Sequence, residues 1–276
     1  MGIVDLILNI AGLLLWLNWR SIRFDPLTRR IPSTLMGTLR PASPQKMRRW
    51  HFLLLIAALL ILRAVLYRSL GAATGNTTSY LNFGVTSLGF RHDFFLQALA
   101  FSFFSFARAL AILYIVLLFF SILAGPQPIN GLIKIPLGRV SDWPGWLKII
   151  LPFLATAISW WLASWIFEKL PPQLPTSPAQ KFQGAIVMGL SSYLVWKIPA
   201  CSILALHLVS SYIFFGRHPV WTYITVTAQT LLRPIKTIPL RVGKVDFAPV
   251  LAMAVLFFLF EGAERGLIWL YAHRVH

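Results

Sequence analysis

Residues 94–124 read FFLQALAFSFFSFARALAILYIVLLFFSILA, with a single formal charge, Arg108. A helix needs roughly 20 apolar residues to cross a bilayer. This run exceeds that length, enough to tilt or project, and it decides the fold class. The rest of the chain agrees. Over 276 residues, 57% are hydrophobic and 12% are charged, against roughly 25% charged in soluble domains. Mean hydropathy is +0.71. Such a chain cannot cover a water-facing surface. A soluble enzyme, a secreted disulfide scaffold and a disordered tail are excluded. One cysteine, Cys201, sits in an apolar run, so no intramolecular disulfide or thiolate cluster is expected.

Five further apolar runs flank the first: Ile3–Trp19, Phe52–Tyr67, Leu147–Phe167, Ala185–Phe215 and Pro249–Tyr271. The first is short, with Asp5 near its start. It lacks leading Lys or Arg and a small-residue cleavage site, so a retained helix is expected. Pro199 lies inside the fifth. The expected architecture is all-α: a polytopic membrane protein of six transmembrane helices, arranged as three hairpins. The segments are an N-terminal hairpin over 1–68, a loop over 69–93, a second hairpin over 94–167, a Pro-rich loop over 168–184, and a third hairpin over 185–276.

Loop charges give the orientation. The chain carries 25 Lys+Arg against 8 Asp+Glu, a net +17. Cations concentrate in the first, third and fifth loops. Arg20–His51 holds Arg23, Arg29, Arg30, Arg40, Lys46, Arg48 and Arg49 besides its leading Arg20. Gly125–Lys148 holds Lys134, Arg139 and Lys148, and Gly216–Ala248 holds Arg217, Arg233, Lys236, Arg241 and Lys244. The positive-inside rule places these loops in the cytoplasm and both termini outside. The basic excess therefore points to anionic phospholipids rather than nucleic acid.

Two of the basic loops repeat one pattern. Ile135-Pro136-Leu137-Gly138-Arg139-Val140-Ser141-Asp142-Trp143-Pro144 is echoed by Ile238-Pro239-Leu240-Arg241-Val242-Gly243-Lys244-Val245-Asp246-Phe247-Ala248-Pro249. The first hairpin keeps only Arg29-Arg30-Ile31-Pro32. Asp142 and Asp246 stand just before spans, where a carboxylate caps orphan N–H groups and favours the positive helix end. A binding role for these carboxylates is the alternative.

The third hairpin resembles the YggT family of small integral membrane proteins. The matching residues are Pro219, Leu232-Arg233-Pro234-Ile235-Lys236, Pro239, Gly243, Asp246-Phe247-Ala248-Pro249 and Ala252. His218 stands where the family usually has Asn, and Ala248 where it has Ser. The resemblance covers about residues 205–260, more weakly 101–167. The second hairpin then reads as a degenerate repeat and residues 1–68 as an extension. The resemblance implies a bacterial inner-membrane protein with a non-enzymatic organising role. On it, Leu232, Arg233, Pro234, Lys236, Pro239, Gly243, Asp246 and Pro249 form the family motif and a cytoplasmic interface. It also links the chain with osmotic and ion homeostasis.

Two groups of residues are candidates for function. Val220–Arg233 reads as amphipathic, with Val220, Trp221, Ile224, Leu231 and Leu232 on its apolar side. Trp221, Arg233, Lys236, Arg241 and Lys244 suit the headgroup layer of an anionic membrane, or a dock for an acidic cytoplasmic partner. The second group is intramembrane: Arg63, Arg108, Lys197, Glu261, Glu264 and Arg265. Counted from the cytoplasmic ends, all fall roughly 18–28 Å down, so one charge layer is expected. Such groups pair across helices and fix the bundle, line a proton or ion path, or hold a cofactor or lipid headgroup. Gly262 and Gly266 make a small-residue ridge beside Glu261 and Arg265, where another helix could approach. Hydrolase, Walker and Rossmann patterns are missing. No catalytic residue, metal or cofactor is expected. The expected partners are other membrane proteins of a larger complex.

Overall fold

The computed structural model describes residues 2–21, 49–74, 78–91, 94–123, 135–168, 177–213, 219–234, 241–242 and 245–274. In chain order the elements are α1 (Gly2–Ser21), α2 (Arg49–Thr74), β1 (Thr78–Asn82), β2 (Ser87–Arg91), α3 (Phe95–Leu123), a 3₁₀ turn (Gly138–Asp142) and α4 (Gly145–Glu168). There follow α5 (Pro178–Ser191), a second 3₁₀ turn (Ser192–Trp196), α6 (Lys197–Tyr212), α7 (Pro219–Leu232), β3 (Arg241–Val242), β4 (Val245–Asp246) and α8 (Ala248–Arg274).

The fold is helical and built for a membrane. Among the described residues, five stretches are long and apolar enough to cross one: Ile3–Arg20, Trp50–Ser69, Phe95–Leu123, Gly145–Trp165 and Pro178–Tyr212. The sixth expected run forms α8, but Glu261, Glu264 and Arg265 crowd its middle and lower its apolar character. The fifth run begins earlier than expected, at Pro178. Ser177 caps α5 by accepting from the Gln180 N–H, and Gln180 reciprocates on the Ser177 N–H.

Packing divides the chain into two compact units, Met1–Leu81 with Gly89–Leu110, and Asn82–Leu88 with Ala111–His276. The division falls inside α3 rather than at the ends of the hairpins read from the sequence. In the first unit, α1 packs on α2 and on the first half of α3. Gly12 allows this: a Cβ there would lie 2.7 Å from the Phe106 ring. Ser102 on α3 donates to the Leu60 carbonyl of α2 (2.9 Å), and Tyr67 and Phe90 pack edge-on against Phe101.

In the second unit, α4 and α5 lie close because Gly189 meets Phe153 directly, with a Cβ position 2.8 Å from the ring and 3.0 Å from the backbone oxygen. α7 lies across a core of Phe119, Ala200, Ile203, Leu204, Ile224, Ala228, Leu232, Ala248 and Ala252. Leu118, Leu137 and Tyr223 extend it. One end of this unit thus gathers the end of α3, the first 3₁₀ turn, α7 and the start of α8. The opposite end is marked by the β1–β2 tip, where Phe83 packs on Trp160 and Thr86 bonds Tyr271 (3.1 Å). Lys181 lies over Trp165 there, joining the start of α5 to the end of α4. Segments flanking the third and fifth loops therefore share one end, as antiparallel hairpins require.

The two repeated loops differ in local form. Gly138 adopts φ +59° and opens a 3₁₀ turn through Asp142. The later copy instead pairs β3 with β4, Arg241 opposite Asp246 and Val242 opposite Val245. Neither aspartate is the residue at which its helix starts. The first turn of α4 closes on the Pro144 carbonyl and that of α8 on the Phe247 carbonyl. Asp142 accepts instead from the Ser141 hydroxyl (3.4 Å). Trp143 thus stands between Asp142 and the N-cap of α4, and Phe247 between Asp246 and the first residue of α8.

Candidate functional site

Of the six intramembrane charges, Arg63 and Arg108 belong to the first unit and Lys197, Glu261, Glu264 and Arg265 to the second. In the first unit, Arg63 on α2 has a side chain that is 0% exposed. Its Nη1 donates to Asn9 Oδ1 (2.9 Å). Its Nη2 donates to Asp5 Oδ1 and to Ser105 Oγ (2.6 Å). Asn9 Nδ2 also reaches Ser105 Oγ (3.3 Å). The guanidinium carbon lies 5.5 Å from the Phe101 ring centre and 5.8 Å from that of Tyr67. One buried cation is therefore held by a carboxylate and an amide from α1, a hydroxyl from α3, and two aromatic faces.

Asp5, Asn9 and Ser105 were not selected from the sequence as partners of Arg63. A signal existed. Asp5 and Asn9 are one turn apart on an otherwise apolar helix, so they share a face. Arg108, expected in the same layer, lies on the α3 portion of this unit and forms no ion pair among the described residues.

In the second unit, Lys197 Nζ lies 3.2 Å from Glu261 Oε2 and 4.3 Å from the Phe257 ring centre. Arg265, one turn beyond Glu261, bonds the other oxygen, with Nη2 at 3.2 Å and Nε at 3.3 Å. Glu261 thus serves two cations, while Glu264 pairs with none among the described residues. Lys197 opens α6, directly after the 3₁₀ turn Ser192–Trp196. That turn is fixed from two sides. Tyr193 donates to the Ile149 carbonyl of α4 (2.8 Å), and Trp196 Nε1 donates to the Ile115 carbonyl of α3 (3.1 Å).

The ridge beside this centre has an unexpected surrounding. Nothing lies within 4 Å of a Cβ placed on Gly262 or Gly266. No helix among the described residues uses it.

A third polar tie was missed entirely. Lys148 is buried, although it was counted as a loop cation. Its Nζ donates to Ser121 Oγ (3.0 Å) and to the Ser141 carbonyl (2.7 Å). It thereby joins the first 3₁₀ turn to the end of α3.

The headgroup-layer expectation for α7 needs correction. Ile224, Ala228 and Leu232 are buried in the core, and Trp221 and Leu231 pack against it. Much of the apolar face is thus used inside the unit, and Trp221 packs against the core while staying partly exposed. Val220, Thr222, Gln229, Thr230 and Arg233 are the exposed positions. Burial pushes the Tyr223 phenol above the usual tyrosine range, which keeps it a neutral donor to the Phe120 carbonyl (3.4 Å).

Of the motif residues, Leu232 and Pro249 are buried, and Arg233 and Pro234 are exposed at the end of α7. Arg241 and Asp246 pair through their backbones. Lys236, Pro239, Gly243 and Lys244 lie outside the described residues, as do Arg29-Arg30-Ile31-Pro32. No group of three His, Cys, Asp or Glu is close enough to share a metal ion among the described residues. Compared with family models, curated proteins and solved structures, the chain matches none.

Proposed function

We propose that this chain is a YggT-like integral membrane scaffold, acting as an assembly factor or accessory subunit of a larger membrane complex, without catalytic activity of its own. The observation that carries this reading is how the intramembrane charges are used. Arg63, Lys148 and Lys197 each tie one helix to another, which is structural work. In this reading α8 is a sixth span, the protein resides in a bacterial inner membrane, and both termini are non-cytoplasmic. Trp221, Arg233, Lys236, Arg241 and Lys244 then meet anionic phospholipid or an acidic partner in the cytoplasm.

The experiment is gentle solubilisation, followed by native electrophoresis and mass spectrometry. The chain should migrate within a larger assembly of defined composition. Recovery as a lone monomer across several mild detergents would remove the reading.

A second reading, a small ion transporter, is favoured by one feature. Interrupted helices with a charged group at the break are how many transporters build mid-membrane sites, and Lys197 follows the Ser192–Trp196 turn. Proteoliposome flux tests it. An ion flux abolished by Glu261→Gln and by Lys197→Ala would replace the scaffold reading.

A further inference from the structure

α8 carries a cation, Arg265, that stays largely exposed among the described residues. Phe258, Gly262, Arg265, Gly266 and Trp269 recur at three- and four-residue spacing and share one exposed face. The Arg265 side chain is 78% exposed. Lys197 and Arg265 share the single carboxylate of Glu261, while Glu264 pairs with neither among the described residues, so the ion-paired groups hold one more positive charge than negative.

Side-chain direction decides what can neutralise it. Long side chains on a helix lean towards its N-terminus, and the bonds from Arg265 back to Glu261 follow that rule. The guanidinium therefore lies level with the middle of α8, about 20 Å from either end at ~1.5 Å per residue. With a hydrocarbon core about 30 Å thick, headgroup phosphates stand well away from that level. An exposed cation in hydrocarbon is costly and normally faces protein. The open space at Gly262 and Gly266 lets a backbone come close on the same face.

We infer that this face of α8 docks a transmembrane helix of a partner protein, one that carries a carboxylate near its middle, opposite Arg265. The inference deepens the scaffold reading and rests on α8 crossing the bilayer.

The test uses the full chain in phosphatidylcholine liposomes, with a fluorescent donor on a C-terminal tag. The probes are acceptor-labelled poly-leucine helices of about 20 residues, one with a single central Asp and one without. The Asp helix should bind about tenfold tighter. Arg265→Leu should abolish that preference and Arg265→Lys should keep most of it, while Gly266→Ile should weaken binding of the Asp helix. Glu264→Gln should change nothing. Folding of each variant is checked by helical content and unfolding temperature. Gly266→Ile leaves every charge in place, so it decides the matter if Arg265→Leu misfolds.

Equal binding of both probes overturns the inference, as does a preference that survives Arg265→Leu. Energy transfer between two copies of the chain, lost in Arg265→Leu, would make the occupant a second copy and overturn a separate partner. A phospholipid retained in native mass spectrometry and lost in Arg265→Leu, without helix preference, would make this a lipid site. If the native complex persists in Arg265→Leu, the scaffold reading stands and this inference falls. If no native complex exists and the Asp helix still binds, the reverse holds.

Discussion

Arg63 shows how a single residue can hold a membrane unit together. Its charge is balanced by Asp5, and its side chain reaches no solvent. Asp5→Asn should leave a buried cation without an anion. Removing one partner of a buried pair costs ~3–5 kcal/mol in soluble proteins, and polar contacts between membrane helices are worth ~0.6–2 kcal/mol. A loss of ~1–4 kcal/mol is therefore expected in detergent unfolding. The double variant Asp5→Leu with Arg63→Leu should lose less than the sum of its parts. Strict additivity would show that the two groups act separately. The same logic separates the two glutamates of α8. Glu261→Gln should couple to Lys197→Leu in a double-mutant cycle, whereas Glu264→Gln should couple to neither Lys197 nor Arg265. Glycines divide in a parallel way. Gly189→Val should cost ~1–3 kcal/mol, because the new side chain meets the Phe153 backbone oxygen, which cannot rotate away. Gly266→Ala meets nothing, so it should be neutral or add up to ~1 kcal/mol through helix propensity.

Elements were legible in the sequence to different degrees, for physical reasons. Apolar length is a local property, so the described part of each expected run falls largely in helix, the fifth with an interruption. The interruption at Ser192–Trp196 is only partly local. Pro199 cannot bond back to the Val195 carbonyl inside the turn, but the Ile149 and Ile115 carbonyls that hold the turn come from distant helices. Tyr193→Phe and Trp196→Phe each remove one such bond while keeping the ring, so each should cost ~0.5–1.5 kcal/mol. Thermal unfolding of the single and double variants checks this, and no effect from either would mean that the turn is held by packing alone. The pair Lys197–Glu261 could be anticipated from charge and depth. Arg63–Asp5 was overlooked because Asp5 stands near the start of α1, where a carboxylate has an ordinary reason to be. For α7, amphipathicity was correctly read, but the direction of its apolar face was not, since periodicity says which residues share a side and not what that side meets. A cysteine at Thr222 should react readily with a thiol reagent in open membranes, and one at Ala228 should stay protected. Equal labelling would return the apolar face to the surface.

At the scale of the whole molecule, the arrangement of the second unit and the loop charges bear on one question, the orientation in the membrane. The segments beside the third and fifth loops share one end of that unit, held by Leu118, Leu137 and Tyr223 and by the core under α7. The tip of the β1–β2 hairpin, the start of α5 and the end of α8 mark the other. Packing thus makes the two basic loops move together: whichever side one occupies, the other must follow. Which side that is depends on charge. The bias against translocating Lys and Arg favours a cytoplasmic side for the basic first, third and fifth loops, and labelling tests it. In a background with Cys201→Ala, single cysteines at Ser43 and Thr237 should resist an impermeant thiol reagent applied to intact cells, and one at Thr77 should react. All three should react once the membrane is opened. Labelling of Thr237 but not Thr77 in intact cells would invert the orientation and place the basic loops outside, removing the lipid argument for Arg233 and Arg241. Labelling of both Thr237 and Thr77 would be more damaging. It would require an even number of crossings between them, and one of α3, α4 and the interrupted α5–α6 helix would then have to lie along the membrane surface instead of crossing it.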